Sequence, residues 1–551
     1  MSTNARDNDY LPSNNNNSVQ VTNLQGKYSI DEAVEFIGFG KAQLWLSLIA
    51  GVIWMADAME LTILSIVSPE VRCMWNLSSY EEAFITTVVF LGMGVSSSWW
   101  GNVCDRHGRK VGLLLCAAWT TYFGFLSALS PNYTWLVILR FLTGFGIGGA
   151  PQSVTLYSEF LPVKTRSRCI MAIEVFWAIG TVFEVFLALL IMPTWGFRWL
   201  LAVSAIPLIL VLLAFHYLPE SARFNQARGR TDLAQSTLEY IAKVNGKRLP
   251  SAGLKESKVA ASTQQRIQKR TSSNNPGTSG DDSSVEVSYA TTANTMNHHS
   301  QEKEHNEDNA GKVSELFKDP IMKKTTLLLW MIWFQCAFAY YGLVLLSTSL
   351  FKEAAGGELP PTGVNNTCSE NFKEECSLSC KTLDNKDYAD LLWVTLSEFP
   401  GLLITLIFLE LFGRKTTMFF TFAGFGVSSL CLLATNGNRA SLNLFLFLAR
   451  ALISGGFQAS YVYTPEVFPT KVRALAMGSC SGMARLGALV TPYVAQVLVE
   501  NHKDFAIFLY SALALLAAFA ALMLPIETKG RSLKDEANEA EDPVSRTQIS
   551  G

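Results

Sequence analysis

Ten residues set between two long apolar runs constrain this chain more than any other stretch. Gly101-Asn102-Val103-Cys104-Asp105-Arg106-His107-Gly108-Arg109-Lys110 separates residues 82–100 from residues 111–129. Each flanking run is long enough to cross a bilayer as a helix. A charged stretch this short between two crossings has to fold as a tight turn on one membrane face, with its charges at the helix ends.

The turn recurs. Gly413-Arg414-Lys415 follows an apolar run ending in Glu410 and precedes another run, at an offset of 413 − 108 = 305 residues. Glu159-x-x-Pro162-x-Lys164-x-Arg166 returns as Glu466-x-x-Pro469-x-Lys471-x-Arg473, with 466 − 159 = 307. Leu218-Pro219-Glu220-Ser221 has a looser echo in Leu524-Pro525-Ile526-Glu527-Thr528. Three patterns at nearly one offset mark a duplicated chain, and so long a period makes the repeat unit half a protein.

Only 16% of the residues are charged and 49% are hydrophobic, whereas soluble domains carry about a quarter charged residues. With the repeated runs, this is the composition of a polytopic membrane protein. A net charge of −2 leaves no basic footprint for nucleic acid. No cleavable signal peptide is visible in the polar, Asn-rich start, so the first span serves as the membrane signal.

Spans are expected at roughly 43–67, 82–101, 111–130, 134–160, 169–193 and 198–218, then 325–350, 388–409, 416–435, 441–463, 474–499 and 505–525. The expected fold is an all-α membrane protein of twelve transmembrane helices in two six-helix pseudo-symmetric halves. Residues 1–42 read as a disordered cytosolic tail and 43–221 as the first bundle. Residues 222–322 read as a cytosolic central loop, amphipathic and helical at 231–243 and otherwise disordered. Residues 323–528 form the second bundle, with a lumenal loop at 351–387, and 529–551 a cytosolic tail.

Basic residues set the orientation. The short loops on the side of the recurring turn carry Arg106, Arg109, Lys110, Lys164, Arg166, Arg168, Arg414, Lys415, Lys471 and Arg473. Those on the opposite side carry Arg72, Arg198, Arg439 and Lys503. The bias puts both termini in the cytosol. Asn365-Asn366-Thr367, a glycosylation sequon, then falls in the lumenal loop. Cys368, Cys376 and Cys380 share that loop and Cys73 lies on the same face, which points to one or two disulfides in an oxidising compartment. Zinc fits less well, since no histidine is near and the spacing is irregular.

The Gly101-x-x-x-Asp105-Arg106-x-Gly108-Arg109-Lys110 turn resembles the signature of the major facilitator superfamily. Pro219-Glu220-Ser221 and Glu527-Thr528-Lys529-Gly530-Arg531 resemble the superfamily's sugar and organic-ion branches, and residues 54–60, 146–157 and 174–180 resemble its synaptic-vesicle branch. The resemblance implies a twelve-helix rocking-switch carrier in an intracellular, synaptic-like vesicle membrane, with the first, fourth, seventh and tenth spans lining a central cavity. It departs from the sugar branch in the seventh span, where Trp333-Phe334-Gln335-Cys336-Ala337 replaces Gln-Gln-x-Ser-Gly. Ala222 and Ile526 also depart from that branch's motifs. A hexose is disfavoured.

A charge in mid-span costs about 2.5–3.5 kcal/mol on insertion scales, so each asks for a reason. Asp57 and Glu60 sit mid-way along the first span at i, i+3, on one helix face. They are candidates for a proton site or a cation seat, or for pairing with a basic residue on a neighbouring span. Arg140 in the fourth span and Arg450 in the tenth are the candidate partners, through the cavity the resemblance implies. Snorkelling to the outer surface is the competing reading of both. Glu174 and Glu184 in the fifth span are expected to face one side. Arg485, followed by Leu486 and Gly487, could bind an anionic group or pair with an acid. Gln335 and Gln458 add polar groups, while Tyr340, Tyr341 and Tyr461 read more simply as packing.

On the cytosolic face, Glu159 with Arg166, Glu466 with Arg473, Glu220 with Arg223 and Glu527 with Arg531 are candidate gate pairs. They lie beside Gly101, Asp105, Arg106, Gly108, Arg109 and Lys110, and beside Gly413, Arg414 and Lys415 of the second half. Ion pairs among them can break as the halves rock. Gly144-x-Gly146-x-x-Gly149 fits a dinucleotide pattern but has no strand before it, so close helix packing is the better reading. No phosphate-binding Gly-x-x-x-x-Gly-Lys-Ser/Thr occurs, and no nucleophile or metal set argues for an enzyme or a cofactor.

The expected function is secondary or facilitative transport of a small organic solute, an organic ion rather than a sugar, with a proton or other coupling ion, by a monomer in the bilayer. The competing reading is a non-transporting vesicle protein that uses the fold as a binding scaffold.

Overall fold

The computed structural model describes residues 27–250, 253–255, 313–354, 382–435 and 438–529. Within them the regular structure is helical, with one isolated parallel bridge between Tyr28 and Leu254. A bilayer offers backbone groups no partners, so apolar runs of this length close their hydrogen bonds within the helix.

The first half contains α1 (Ile30–Ile37), α2 (Lys41–Trp75), α3 (Ser79–His107), α4 (Arg109–Ala128) and α5 (Tyr133–Ile147). It continues with α6 (Pro151–Glu159), α7 (Val163–Trp195), α8 (Phe197–Ser204) and α9 (Ile206–Ala214). Two short helices follow, α10 (Ala222–Ala227) and α11 (Thr231–Val244). The second half contains α12 (Pro320–Ala354), α13 (Asn385–Leu396), α14 (Glu398–Leu411), α15 (Arg414–Leu432), α16 (Arg439–Val467), α17 (Thr470–Pro492) and α18 (Val499–Met523).

These helices make twelve crossings among the described residues. Nine single helical stretches are long and apolar enough to span a membrane. A tenth, Val472–Met523, runs for 52 residues, about 78 Å at 1.5 Å per residue against a hydrocarbon core of about 30 Å. It is two crossings, joined through a π-helical turn at Tyr493–Leu498 and a non-helical break at His502. The 19-residue α15 is the twelfth. Helix breaks divide three crossings: α5 from α6, α8 from α9, and α13 from α14. In the first of these, Gly148-Gly149-Ala150 precedes Pro151, which lacks an N–H and starts the second piece.

The two halves meet where α3 packs on α17 and α7 packs on α13. The second crossing thus faces the eleventh and the fifth faces the eighth, a pairing that repeats under exchange of the halves. Close approach inside each half depends on small residues. A Cβ at Gly144 would run into the backbone of Val89 on α3, so the glycine-rich stretch of α5 is a packing surface.

Gly108 and Gly413 turn the chain between crossings at φ +108° and +87°, a region that disfavours side chains. A Cβ at Gly108 would also collide with the Glu220 carboxylate, and one at Gly413 with that of Glu527. These acids accept backbone N–H groups of the turns, Lys110 N at 3.2 Å and Arg414 N at 2.9 Å. Each recurring turn is thus clamped by the acid that follows the last crossing of its own half.

The expected disordered tail is corrected in part. Residues 30–37 form α1, opened by a capping box in which Ser29 N donates to Glu32 Oε2 at 2.8 Å and Glu32 N to Ser29 Oγ at 3.2 Å. The Ser29 N–H, with Lys255 beyond it, holds the Glu32 carboxyl below its usual range. Ile30, Ala33, Val34 and Ile37 are buried in one cluster with Ala234, Leu238, Ile241 and Ala242 of α11. Asn245 then ties this module to α2, accepting from Ala42 N at 2.9 Å and donating to Gln43 Oε1 at 2.7 Å. The amphipathic helix expected at 231–243 is α11, and its apolar face is what α1 covers.

Candidate functional site

A cavity of about 1290 Å³ lies between the halves. Its wall is drawn from the first, second, fourth and fifth crossings and from the seventh, tenth and eleventh. It runs from Asp57 and Arg485 inside the helical layer to Asp105, Arg109, Arg166, Arg414 and Glu466 at the end that carries the turns. No described residue of the opposite end lines it, so among the described residues it opens at the end that carries the turns.

At its deep end three charged side chains converge. Asp57 is 6% exposed, and its Oδ1 has no hydrogen-bond partner among the described residues. Glu174 accepts from Trp54 Nε1 at 3.2 Å and is also reached by the Gln458 amide. Arg485 acts electrostatically on Asp57 without touching it. Among the described residues its guanidinium reaches Met93 Sδ, at 3.4 Å.

A continuous belt of rings surrounds these charges. Trp54 meets Trp177 with centroids 5.5 Å apart, Trp177 meets Tyr340 at 6.3 Å, and Tyr340 meets Phe457 at 6.2 Å. Phe457 meets Tyr461 at 5.3 Å, and Tyr461 meets Trp333 at 4.5 Å. Tyr341 joins from Tyr340 at 5.3 Å. All of these line the cavity. The simpler reading of Tyr340, Tyr341 and Tyr461 as packing alone is therefore corrected.

Other expected cavity residues lie elsewhere. Arg140 and Arg450 neither snorkel nor face the cavity; they are 2% and 3% exposed. Arg140 Nη1 donates to Glu60 Oε2 at 2.8 Å, so Glu60 is used inside the first bundle while Asp57 faces the cavity. Arg450 Nε donates to Glu398 Oε1 at 2.8 Å in the second. Glu184 does not share a side with Glu174. Ten residues turn a helix by about 1000°, some 80° short of three full turns, and Glu184 is buried against Ser204 Oγ at 2.9 Å. Gln335 is 1% exposed with both amide atoms unpartnered among the described residues, and it is not part of the cavity wall.

Glu398 is the buried intramembrane acid that reading the sequence missed. It accepts from Tyr340 Oη at 2.7 Å and from Thr181 Oγ1 at 3.2 Å. Tyr340 Oη in turn accepts from Trp177 Nε1 at 2.7 Å. Thr181 and Trp177 belong to the first half, so this network crosses between the halves and ends in the cavity wall. The signal was available: an acid within an expected span is the same cue that singled out Asp57.

The charged motifs at the open end pair differently from expectation. Glu159 pairs with Arg109 at 3.5 Å, and Arg109 with Asp105 at 3.0 Å. Glu466 takes both Arg414 Nε and Nη2 at 2.9 Å. Arg223 meets Asp31 at 2.5 Å, not Glu220. Arg166 and Arg473 instead line the cavity mouth, with Arg166 Nε and Arg473 Nε and Nη2 unpartnered among the described residues. Among the described residues each ion pair at this end joins residues of one half, so none of these pairs bridges the opening. Arg531 lies outside the described residues.

The opposite end is held across the halves. Arg72 Nη1 donates to Glu82 Oε2 at 3.1 Å and Nη2 to Glu500 Oε1 at 2.7 Å. Gln496 Nε2 donates to Glu82 Oε1 at 3.2 Å, and Ser79 Oγ to Glu500. Cys73, one residue from this clasp, is disulfide-bonded. The other candidates, Cys368, Cys376 and Cys380, and the sequon residue Asn365, lie outside the described residues.

Comparison with known proteins agrees with this architecture. A profile for the family "Sugar (and other) transporter" matches residues 46–278, and one for "Major Facilitator Superfamily" matches residues 392–549. The synaptic vesicle 2-related protein of Xenopus laevis is 48% identical over 93% of this chain and 83% of its own length. Organic cation/carnitine transporter 7 of Arabidopsis thaliana is 36% identical over 94% of this chain and 98% of its own. The inward-open structure of the E. coli xylose transporter XylE shares the fold, with a TM-score of 0.61 at 16% identity, covering 89% of this chain and 98% of that one.

Proposed function

The chain belongs to the major facilitator superfamily, and on that premise we propose that it is a secondary transporter of a small organic ion working by alternating access. The observation that carries this reading is the cavity between the halves, open at one end and clasped at the other. Rocking about the two packed contacts between halves would part Arg72 and Glu82 of the first half from Glu500 and Gln496 of the second and bring the two charged turns together, exposing Asp57, Glu174 and Arg485 to the other side.

An organic ion is favoured over a sugar because three charges converge at the deep end, and the Arabidopsis relative's name supports the same class. Asp57 and Glu174 are also where a coupling proton or cation would sit. The density of basic residues around the turns supports an open end and both termini on the cytosolic side. Relatives named for synaptic vesicles support a vesicle membrane.

The test is counterflow of labelled organic cations, anions and sugars in proteoliposomes, with an Arg72→Cys/Glu500→Cys pair that can be cross-linked. Transport predicts uptake of an organic ion, loss of uptake on cross-linking, and recovery on reduction. Folded protein that moves none of these solutes, with or without the cross-link, would leave the scaffold reading.

A further inference from the structure

We infer that the clasp at the closed end is a proton-sensitive gate, in which a proton on Glu500 cuts the ion pair between the halves and lets that end open. The inference rests on the transporter reading and names how the shut end of the same cavity is regulated.

Arg72 stands between two acids on opposite sides of the interface. Its Nη1 donates to Glu82 of its own half at 3.1 Å, and its Nη2 to Glu500 of the other half at 2.7 Å. The Glu82 and Glu500 side chains are 6% and 8% exposed, so salt screens these contacts little. A proton on Glu500 cancels its charge and ends the pair across the interface. Arg72 then keeps Glu82, and no buried guanidinium is stranded. Arg140 and Arg450 differ: each pairs with a single acid among the described residues, and neutralising that acid would leave an uncompensated buried charge. The clasp is thus the buried ion pair that a proton can cut without that penalty.

The surroundings set the sign. From α2 and α3, Glu500 faces Arg72, Glu82 and the Ser79 hydroxyl, which donates to it. From α12, Lys352 bears on Glu82, Glu70 and Asp387. Asp387 and Asp390 share Arg439 beyond it. The end of α17, residues 486–492, carries no charged residue, and His502, Lys503 and Asp504 follow Glu500 on its own element. Glu70, Glu82 and Glu500 together face only Arg72 and Lys352, so neutralising one acid leaves the charges matched. Arg72 and Ser79 favour the ionised form of Glu500 while the clasp is shut, and both leave it on opening. The open state therefore takes up the proton more readily, and by linkage acid on that side drives opening. Glu500 also sits between the π-helical turn at Tyr493–Leu498 and the break at His502, two departures from the α-helix that leave its short segment room to reorient.

The experiment uses the full chain in nanodiscs, with no solute present. Spin labels are attached at Met74 and Phe505, exposed residues of the two halves near the clasp, through an unnatural amino acid that leaves the native cysteines untouched. Double electron–electron resonance reads the ratio of long to short distances between them. In the parent protein that ratio should rise as the pH falls from about 7.5 to about 4.5. Glu500→Gln should raise it at least about fivefold at the higher pH and show no further rise in acid. Arg72→Gln leaves Glu82 and Glu500 facing each other without their shared cation, so acid should no longer open that end. His502→Gln should titrate like the parent.

A parent whose distances do not move with pH overturns the inference. So does a Glu500→Gln protein that stays shut or keeps the parent's acid response, and so does a response that disappears in His502→Gln. Because the readout needs no solute, it separates from the transporter reading. Acid opening through Glu500 in a protein that moves no solute in counterflow would sink transport and keep the gate. Counterflow by a protein whose distances ignore pH would keep transport and discard the gate.

Discussion

Each half of the molecule buries an arginine against a glutamate, and the two pairs are not equivalent. In the first half Arg140 meets Glu60 at 2.8 Å, and its Nε and Nη2 have no hydrogen-bond partner among the described residues. In the second half Arg450 meets Glu398 at 2.7 Å, with Tyr340, Thr181 and Trp177 completing the network. Both arginines lie in the crossing that leads to a Glu-x-x-Pro turn, but 450 − 140 = 310 departs from the repeat offset of 305 to 307, so they are not in the same register of the two halves. One pair is enclosed within its own bundle. The other reaches across to the first half and into the cavity wall, where a solute that displaces Tyr340 or Trp177 would also disturb the contact between halves.

The largest expected effect comes from stranding either arginine. Glu398→Leu and Glu60→Leu each leave a buried guanidinium unpaired, at about 3–5 kcal/mol. Both should lower the melting temperature of detergent-purified protein sharply, and Glu398→Leu should in addition release Tyr340 and Thr181. If one of them melts like the parent, the pair it breaks does not hold its bundle together.

Replacing both partners sharpens the contrast. Buried pairs exchanged for apolar residues are often neutral or better. Glu60→Leu with Arg140→Met should thus recover most of the stability lost by Glu60→Leu and keep flux. Glu398→Leu with Arg450→Met should not, because the buried Tyr340 hydroxyl loses its acceptor at about 1–3 kcal/mol, while Thr181 Oγ1 keeps Ala178 O. Equal recovery in both halves would erase the difference argued above.

Tyr340→Phe isolates the connection between halves. Trp177 Nε1 loses its acceptor and Glu398 a donor, for about 1–3 kcal/mol by thermal melt. A slower exchange of solute per folded molecule should accompany it. A change in melting alone would reduce the tyrosine to packing.

The smallest effect sets the baseline. Arg223 and Asp31 form an ion pair whose side chains are 43% and 65% exposed. Arg223→Ala should cost about 0–1 kcal/mol, less at high salt. A loss comparable to that of Glu60→Leu would mean that α1 and α11 anchor the first bundle far more strongly than a surface pair accounts for.

Much of the architecture was legible beforehand and particular contacts were not. Arg140 and Arg450 stood out as charges within apolar spans, but choosing between snorkelling and pairing required their helices' rotations. Glu159 and Arg166 lie seven residues apart in sequence and look like partners. Pro162 separates their helices, and the nearer cation is Arg109 from another turn. The helix at 30–37 was readable from Ser29-x-x-Glu32 and the spacing of Ile30, Val34 and Ile37. The Asn-rich residues before it masked the signal, and α1 is buried only because α11 returns to cover it.

By itself the sequence determined the duplication, the twelve crossings, the turns that need glycine and the inventory of intramembrane charge. Those features follow from local requirements: apolar length, internal backbone bonding and a backbone region that excludes Cβ. Only the tertiary structure decided which acid each arginine meets, which charges face the cavity, and which end of it is shut. Those depend on helix rotation and on the placement of one half against the other, fixed by contacts such as Arg72 to Glu500, 428 residues apart in the chain.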